Sequence, residues 1–363
     1  MTSVTVLGGG NTAFAVAANL TLRGHQITLY ELPEQAVSVE PILDALQITL
    51  EGVAEQGTAT IHNVTTDAAD AVASSDLLLL IVPAYAHKPF AEEVARHLSP
   101  GKTVVLMPGT LGALEWARIL RERDVTGVTL GEVDTAPYVC RKTGPDSVII
   151  WGQVTGLGLG VLPACETDRV LSQMHELFPG IGPHPDAAAC GLSSINPVIH
   201  PAGVLMNAGS IEYARGEFYF YEEGVTPSVA KVIGQVDAER IEIGRALGYE
   251  LTPVAEAFHQ AGFGPKGDLW STIKGSRMLT SLKAPGSLDS RWLTEDIPYG
   301  LAAWVSIAAQ YGVETPLMRG LIDIGSVVMG LDGWSEGRGV EELGIAGMSR
   351  EDLRGYLQSG IRA

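Results

Sequence analysis

The chain has 363 residues, 46% hydrophobic and 18% charged, a globular composition too long for one ordinary core, so two domains are the natural expectation. Its 24 basic residues are spread thinly among 42 acidic ones, giving a formal net charge of -18, a surface that repels nucleic acid and anionic membranes. The N-terminus lacks a charged segment followed by an apolar run, and no apolar stretch reaches the length of a bilayer span, so cytoplasmic residence is expected. Cys140, Cys165 and Cys190 are odd in number and unlike a metal knuckle in spacing; they read as buried free thiols. The histidines form no H-E-x-x-H or similar cluster, and no metal site is expected.

In chain order, residues 4–7 read as an apolar strand, Gly8, Gly9 and Gly10 as a turn, residues 13–23 as a helix stopped by Gly24, and residues 27–30 as a second strand closed by Glu31. Gly8, Gly10 and Ala13 fit the G-x-G-x-x-G/A dinucleotide fingerprint in its strand-turn-helix context. Gly8 permits the tight turn, Gly10 lets a pyrophosphate approach the backbone, and Ala13 lets helix and strand pack closely. Asn11, Thr12 and Ala13 then open a helix whose unpaired N–H groups and positive dipole end suit the phosphates. Glu31 can accept hydrogen bonds from ribose hydroxyls and would repel a 2′-phosphate; no Arg or Lys occurs between Arg23 and Lys88, so NAD is expected over NADP. The bland alternative makes Glu31 a solvated loop residue.

Residues 33–57 look helical and acidic, leading to short strands around residues 59–63. Residues 77–82 form a continuous apolar run, as in a strand buried on both faces of a parallel sheet, and Pro83 and Ala84 at its carboxyl end are cofactor-contact candidates. His87 and Lys88 read as helix-start residues. Strands over residues 103–107, 128–133, 148–151 and 155–162 and a helix over 164–178 continue an alternation that signals a doubly wound parallel sheet. Near residue 185 the texture changes, and from Leu192 onward helical periodicity dominates. The expected organisation is α/β: a Rossmann-type domain over residues 1–186 and an all-helical domain over 187–363. Thr226 and Pro227 read as the cap and first position of a helix running to Leu247, with Asp237, Glu239, Arg240 and Glu242 mostly away from its apolar stripe. Another helix is expected over residues 299–311, and Ser349 with Asp352 forms a capping box for the last.

Two stretches of the helical half carry candidate chemistry. GLSSINPVIHPAGVLMNAG places Asn196 and His200 four apart, on one helix face if the helix tolerates Pro197 and Pro201; a turn or kink is expected there. A lone histidine in such a segment is often a hydrogen-bonded core residue. SLDSRWLTEDIPYGL contains Arg291, Glu295 and Asp296: Asp296 can cap the following helix, or hold an imidazole in one tautomer, and Arg291 can fork onto a substrate carboxylate. Tyr219, Tyr221, Glu222, Glu223, Phe258, His259 and Trp270 are pocket candidates whose plainer reading is core packing.

The chain resembles the opine dehydrogenases of the octopine/nopaline dehydrogenase family over nearly its whole length, in GGGNTAFAVAANL, DLLLLIVPAYAH, PGTLGALEWARIL, SSINPVIHPAGVLMNAG, FYFYEEGVTPSVAKVIGQVDAERIEIG and TEDIPYGL. The resemblance implies a helical domain like the C-terminal domain of 6-phosphogluconate dehydrogenase, and NAD(P)H-dependent condensation of an amino acid amine with a 2-oxo acid, commonly pyruvate. It further implies His200 as the catalytic histidine, Asp296 as its dyad partner, Arg291 as the anchor of the oxo-acid carboxylate and Asn196 as a substrate contact. Two other readings stand beside it: a 3-hydroxyacid, glycerol-3-phosphate or ketopantoate-type dehydrogenase, and a non-catalytic dinucleotide sensor. The first usually relies on a lysine where this chain has INPVIHP, and none of its seven lysines lies between Lys142 and Lys231. Small-molecule substrates and a homodimer are the expected partners.

Overall fold

The computed structural model describes residues 1–362. Its strands are β1 (Ser3–Leu7), β2 (Gln26–Tyr30), β3 (Gln47–Gly52), β4 (Gly57–Thr60), β5 (Asn63–Thr65), β6 (Leu77–Leu80), β7 (Thr103–Leu106), β8 (Thr129–Val133), β9 (Tyr138–Gly144), β10 (Ser147–Gln153), β11 (Gly158–Leu162) and β12 (Gly182–Pro183). Eight form one sheet in the order β12-β11-β8-β7-β6-β1-β2-β5, parallel from β5 through β8, with β11 antiparallel to β8. The order reverses between β1 and β6, the switch point at whose carboxyl end open α/β sheets bind ligands.

The other four form a second sheet, β4-β3-β10-β9, which departs from the sequence reading. Residues 33–57 are not helical: they give two short 3-10 turns, Pro33–Ser38 and Glu40–Ile42, then β3, whose Ile48 and Leu50 are buried on alternate positions. β10 repeats the pattern with Val148 and Ile150. Helix α1 (Asn11–Leu22) packs on β1 and β2 on one side and on β3, β4, β9 and β10 on the other. That explains its composition: Ala13, Phe14, Ala15, Val16, Ala17, Ala18 and Leu20 are all fully buried, as in a helix enclosed all round.

The chain divides into two compact units, 1–191 joined by the stretch from Gly355 onward, and Leu192–Arg354. The sequence reading had placed the border at 186 and the tail with the second unit. The remaining helices are α2 (Ala68–Ala73), α3 (His87–Val94), α4 (Gly112–Glu122), α5 (Thr167–Leu177), α6 (Ala187–Leu192), α7 (Asn196–Leu205), α8 (Ala208–Ala214), α9 (Pro227–Leu247), α10 (Val254–Gln260), α11 (Leu269–Lys274), α12 (Arg291–Thr294), α13 (Ala302–Gln310), α14 (Pro316–Met329) and α15 (Arg350–Ser359). In the second unit α7 packs on α9, α12 and α14. Thr226 caps α9 through Val229 N–H at 3.4 Å, and Gly248 ends it at φ +89°. Asp237, Glu239 and Arg240 are buried within the unit and do not decorate its surface. Ser349 and Asp352 form the expected reciprocal cap, with Asp352 N–H donating to Ser349 Oγ at 3.2 Å and Ser349 N–H to Asp352 Oδ2 at 3.2 Å. Among the described residues no helix is long and apolar enough to cross a membrane. Of the thiols, Cys190 is buried, Cys140 half-buried and Cys165 exposed, so the expectation of three buried cysteines fails at Cys165.

Candidate active site

The first unit carries a cavity of about 650 Å³ at the switch point, lined by Gly9, Gly10, Glu31, Ser38, Val82 and Pro83 among others. Gly8 turns the chain at φ +121°, where a Cβ would also stand 2.6 Å from the Ile81 carbonyl oxygen. Gly9, which the fingerprint leaves open, is fixed by close approach: a Cβ there would lie 2.2 Å from Ser38 Oγ and 2.9 Å from Glu31 Oε2. Beside Gly10 there is open space, with no atom within 4 Å of an added Cβ, as a site for a pyrophosphate requires. No side chain caps α1, so its first amides keep their unpaired hydrogens.

The side chains of Asn11 and Thr12 do not face the cavity. Asn11 Oδ1 accepts from Lys142 N–H at 2.9 Å and Thr12 Oγ1 from Cys140 Sγ at 3.7 Å, both on β9. Ala13 is fully buried against the strands. Pro83 lines the cavity, whereas Ala84 is buried behind it and Tyr85 takes the exposed place. His87 begins α3, as its sequence position suggests.

Glu31 is no solvated loop residue. It is 6% exposed and accepts from Gly9 N–H at 2.6 Å, Leu32 N–H at 2.8 Å and Ser38 Oγ at 3.2 Å. Burial raises its carboxyl above the ordinary value, against the pull of those hydrogen bonds and of Lys142. A basic residue distant in sequence, Lys142, nonetheless comes near Glu31. It arrives from β9, more than a hundred residues on, with Nζ 3.0 Å from the Ser38 carbonyl oxygen and 3.5 Å from the Phe14 ring centre.

In the second unit His200 and Asp296 meet across 96 positions, Nδ1 to Oδ2 at 2.8 Å, with both side chains 11% exposed. The carboxylate can only accept, so Nδ1 carries the hydrogen and Nε2 is left to act as acid or base. The helix under His200 does not break at its prolines. Pro197 falls in the first turn, where its missing N–H costs nothing, and α7 runs on through Pro201. Asn196 opens that helix one turn before His200 and is partly exposed. Asp296 opens a π-helical turn, Asp296–Leu301, packed against α7.

Trp292, unflagged in the sequence, stacks on the His200 imidazole with ring centres 4.3 Å apart and planes 4° from parallel. The Tyr221 hydroxyl lies 3.4 Å from His200 Nε2, in a second π-helical turn, Phe220–Gly224. Burial, and after it the Asp296 charge, pushes the Tyr221 phenol well above its usual range. Arg291, beside Trp292 on α12, does not join the dyad; it is 60% exposed and lies 3.8 Å from Glu295. Of the other pocket candidates, Phe258 is core against Phe263, His259 Nδ1 donates to the Gly264 carbonyl at 2.9 Å, and Tyr219 and Trp270 are exposed. Glu222 pairs with Lys274 at 2.9 Å and Glu223 accepts from Tyr219 N–H at 2.6 Å.

Residues 183–329 match the helical-domain family of NAD/NADP octopine/nopaline dehydrogenases, and residues 3–107 match the coenzyme F420-dependent NADP oxidoreductases. An opine dehydrogenase of Arthrobacter sp. (strain 1C) is 31% identical over 97% of this chain and 98% of its own length. Two solved structures share the fold: octopine dehydrogenase in complex with NADH and agmatine, with a TM-score of 0.80 at 20% identity over 98% of both chains, and NADP+-bound yersinopine dehydrogenase, with 0.73 at 15% identity over 99% and 98%. The two-unit architecture, the fingerprint turn and the end-to-end likeness agree, and the chain belongs to the opine (octopine/nopaline) dehydrogenases, NAD(P)-dependent oxidoreductases acting on CH–NH bonds.

Proposed function

We propose that His200 is the acid/base of the reductive condensation this family performs, with Asp296 as the group that orients it. In that reaction an amino acid amine, a 2-oxo acid, NAD(P)H and a proton give an N-(carboxyalkyl)amino acid, NAD(P)+ and water. When bound, the reduced nicotinamide supplies the hydride. The backbone of Gly9 and Gly10, the first amides of α1 and the Glu31 carboxylate are the groups that would hold the dinucleotide. His200 Nε2–H gives its proton to the carbonyl oxygen as the amine adds and water departs, and Nε2 takes a proton in the reverse direction. Asp296 fixes the tautomer and stabilises the imidazolium, and the Trp292 face favours the same charged ring. Arg291 is proposed to hold the oxo-acid carboxylate, since its exposed fork is not saturated by the 3.8 Å contact with Glu295; Asn196 is proposed as a further substrate contact. NAD is proposed as the preferred cofactor, on the buried carboxylate of Glu31, and the cytoplasm as the place of action.

The observation that carries this reading is the 2.8 Å His200–Asp296 pair, each side chain only 11% exposed, in the helical unit. Mixing the protein with NADH, pyruvate and a panel of amino acids, and following nicotinamide absorbance, should show oxidation that requires the amine. Oxidation by pyruvate alone would favour hydroxyacid chemistry, and NADH binding without turnover a sensor. His200→Ala is expected to cut turnover about 10²–10⁴-fold with NADH affinity nearly intact; a fully active variant removes His200 from the mechanism.

A further inference from the structure

We propose that Tyr221 is a second catalytic donor of the condensation site, and that its hydroxyl and His200 Nε2 together grip the single oxygen that leaves the oxo acid as water. The inference rests on the assignment of His200 above and adds a group that assignment does not use.

Three observations converge on this phenol. Its oxygen lies 3.4 Å from Nε2, the ring nitrogen opposite the one Asp296 holds. At that separation one substrate oxygen can sit about 2.8 Å from both, within ordinary hydrogen-bond range of each. Tyr221 is 5% exposed, and its ring is fixed edge-on to Phe220 at 5.0 Å between centres, with Trp292 at 6.3 Å. The donor is therefore held in place before substrate arrives, as stabilisation of developing charge requires. Third, Tyr221 and Asp296 both lie in π-helical turns, a local widening that recurs at functional sites.

The ionisable groups around the phenol are His200 and Asp296. Burial and the negative charge of Asp296 both oppose ionisation, so the hydroxyl stays a donor throughout the neutral range. In the empty site it bonds Nε2. With substrate present, the amine nitrogen forms the C–N bond and the carbonyl π pair moves onto oxygen, which Tyr221 O–H and the imidazolium Nε2–H both contact. The Nε2 proton then transfers to that oxygen. The nitrogen, which carries two hydrogens once the C–N bond has formed, returns one of them to Nε2; as the C–O bond breaks that proton passes on to the hydroxyl, water leaves, and the protonated imine remains to be reduced. Tyr221 keeps its own proton: it stabilises charge, while His200 moves the proton.

The test compares the full-length wild-type enzyme with Tyr221→Phe, His200→Asn and the double variant, using NADH, pyruvate and the amino acid that wild type uses fastest. Tyr221→Phe is expected to lower kcat about 10²–10³-fold, the loss typical of one such donor, with the KM for NADH unchanged. The double variant should be no more than a few-fold slower than the slower single variant, because both groups act on one oxygen. Tyr221→Phe within three-fold of wild type, with His200→Asn inactive, overturns the proposal and leaves His200 standing. Near-normal activity of His200→Asn overturns both.

Should Tyr221→Phe fail to fold, a fluorinated tyrosine introduced at position 221 keeps ring and hydroxyl while acidifying the phenol. Across mono-, di- and trifluorinated tyrosines, kcat at one neutral pH should change steadily with the acidity of the phenol, because a hydrogen bond that strengthens in the transition state responds to donor acidity; a flat series means the hydroxyl does not act.

Discussion

Glu31 shows how one carboxylate can serve both turn and cofactor. Its acceptor bonds from Gly9 and Leu32 amides hold the glycine turn in shape, and Glu31 also lines the cavity of the first unit. Burial raises its carboxyl above the ordinary 4.5, so just above that value the folded chain holds a proton the unfolded chain has released. Acidification into that window therefore stabilises the fold, and raising the pH through the folded value removes the contribution. The Tm of wild type minus that of Glu31→Gln should grow as pH falls toward 4.5, while the KM for NADH rises because a protonated carboxyl is a poorer acceptor; a pH-independent Tm difference would contradict the shift. With Lys142 left in place, Glu31→Ser should raise the kcat/KM for NADPH relative to NADH, measured with both cofactors at saturating substrates. The thiols differ in the same local way. Cys190, which burial and three nearby carboxylates hold in its neutral form, should react with a thiol reagent only after unfolding, whereas exposed Cys165 should react in the native protein.

At the scale of elements, the buried ion pair on α9 organises the second unit. Arg240 is 1% exposed and donates to Asp237 Oδ1 at 2.9 and 2.7 Å, to the Leu192 carbonyl at 2.8 Å and to the Thr252 carbonyl at 2.6 Å. Asp237 in turn accepts from Val254 N–H at 2.8 Å, so one pair ties α9 to the segments that precede and follow it. Arg240→Leu leaves Asp237 buried without its cation and should cost about 3–5 kcal/mol, read from denaturant unfolding of the second unit. Nothing local announced this: the α9 periodicity put these charges on outer faces, and only neighbours distant in sequence turn those faces inward. The glycine turn was legible because its cause is local, a strand, a bend and a helix within thirty residues. The β4-β3-β10-β9 sheet was not, since β3 and β10 pair across about a hundred residues and a strand's own sequence does not name a partner that far away. The His200–Asp296 pair lies between these cases: the residues themselves offered an imidazole and a carboxylate, and only family resemblance joined them across 96 positions. Trp292 escaped because a lone tryptophan carries no spacing signal, and the exposure of the Arg291 side chain is equally illegible in the sequence.

For the whole molecule, the chain's return to its first unit matters most. α15 begins among residues of the second unit, but from Gly355 onward it belongs with the first, where Tyr356 and Leu357 are 3% and 1% exposed. Burial raises the Tyr356 phenol, and the Arg121 side chain of α4 hydrogen-bonds it, which draws it back down. The first unit is thus completed by residues that follow the second unit in the chain, and its stability should depend on them. Leu357→Ala removes a fully buried side chain and is expected to cost about 2–5 kcal/mol. The loss should fall on the unit that holds the glycine turn. In a calorimetric scan the transition that NADH moves upward is that unit's, because a ligand stabilises the fold that binds it. Leu357→Ala should lower this transition while leaving the other in place. Arg240→Leu should do the reverse, lowering the transition that NADH does not move. If both variants instead lowered a single transition equally, the two units would unfold as one cooperative block, and the tail would be supporting the whole chain and not the dinucleotide half alone.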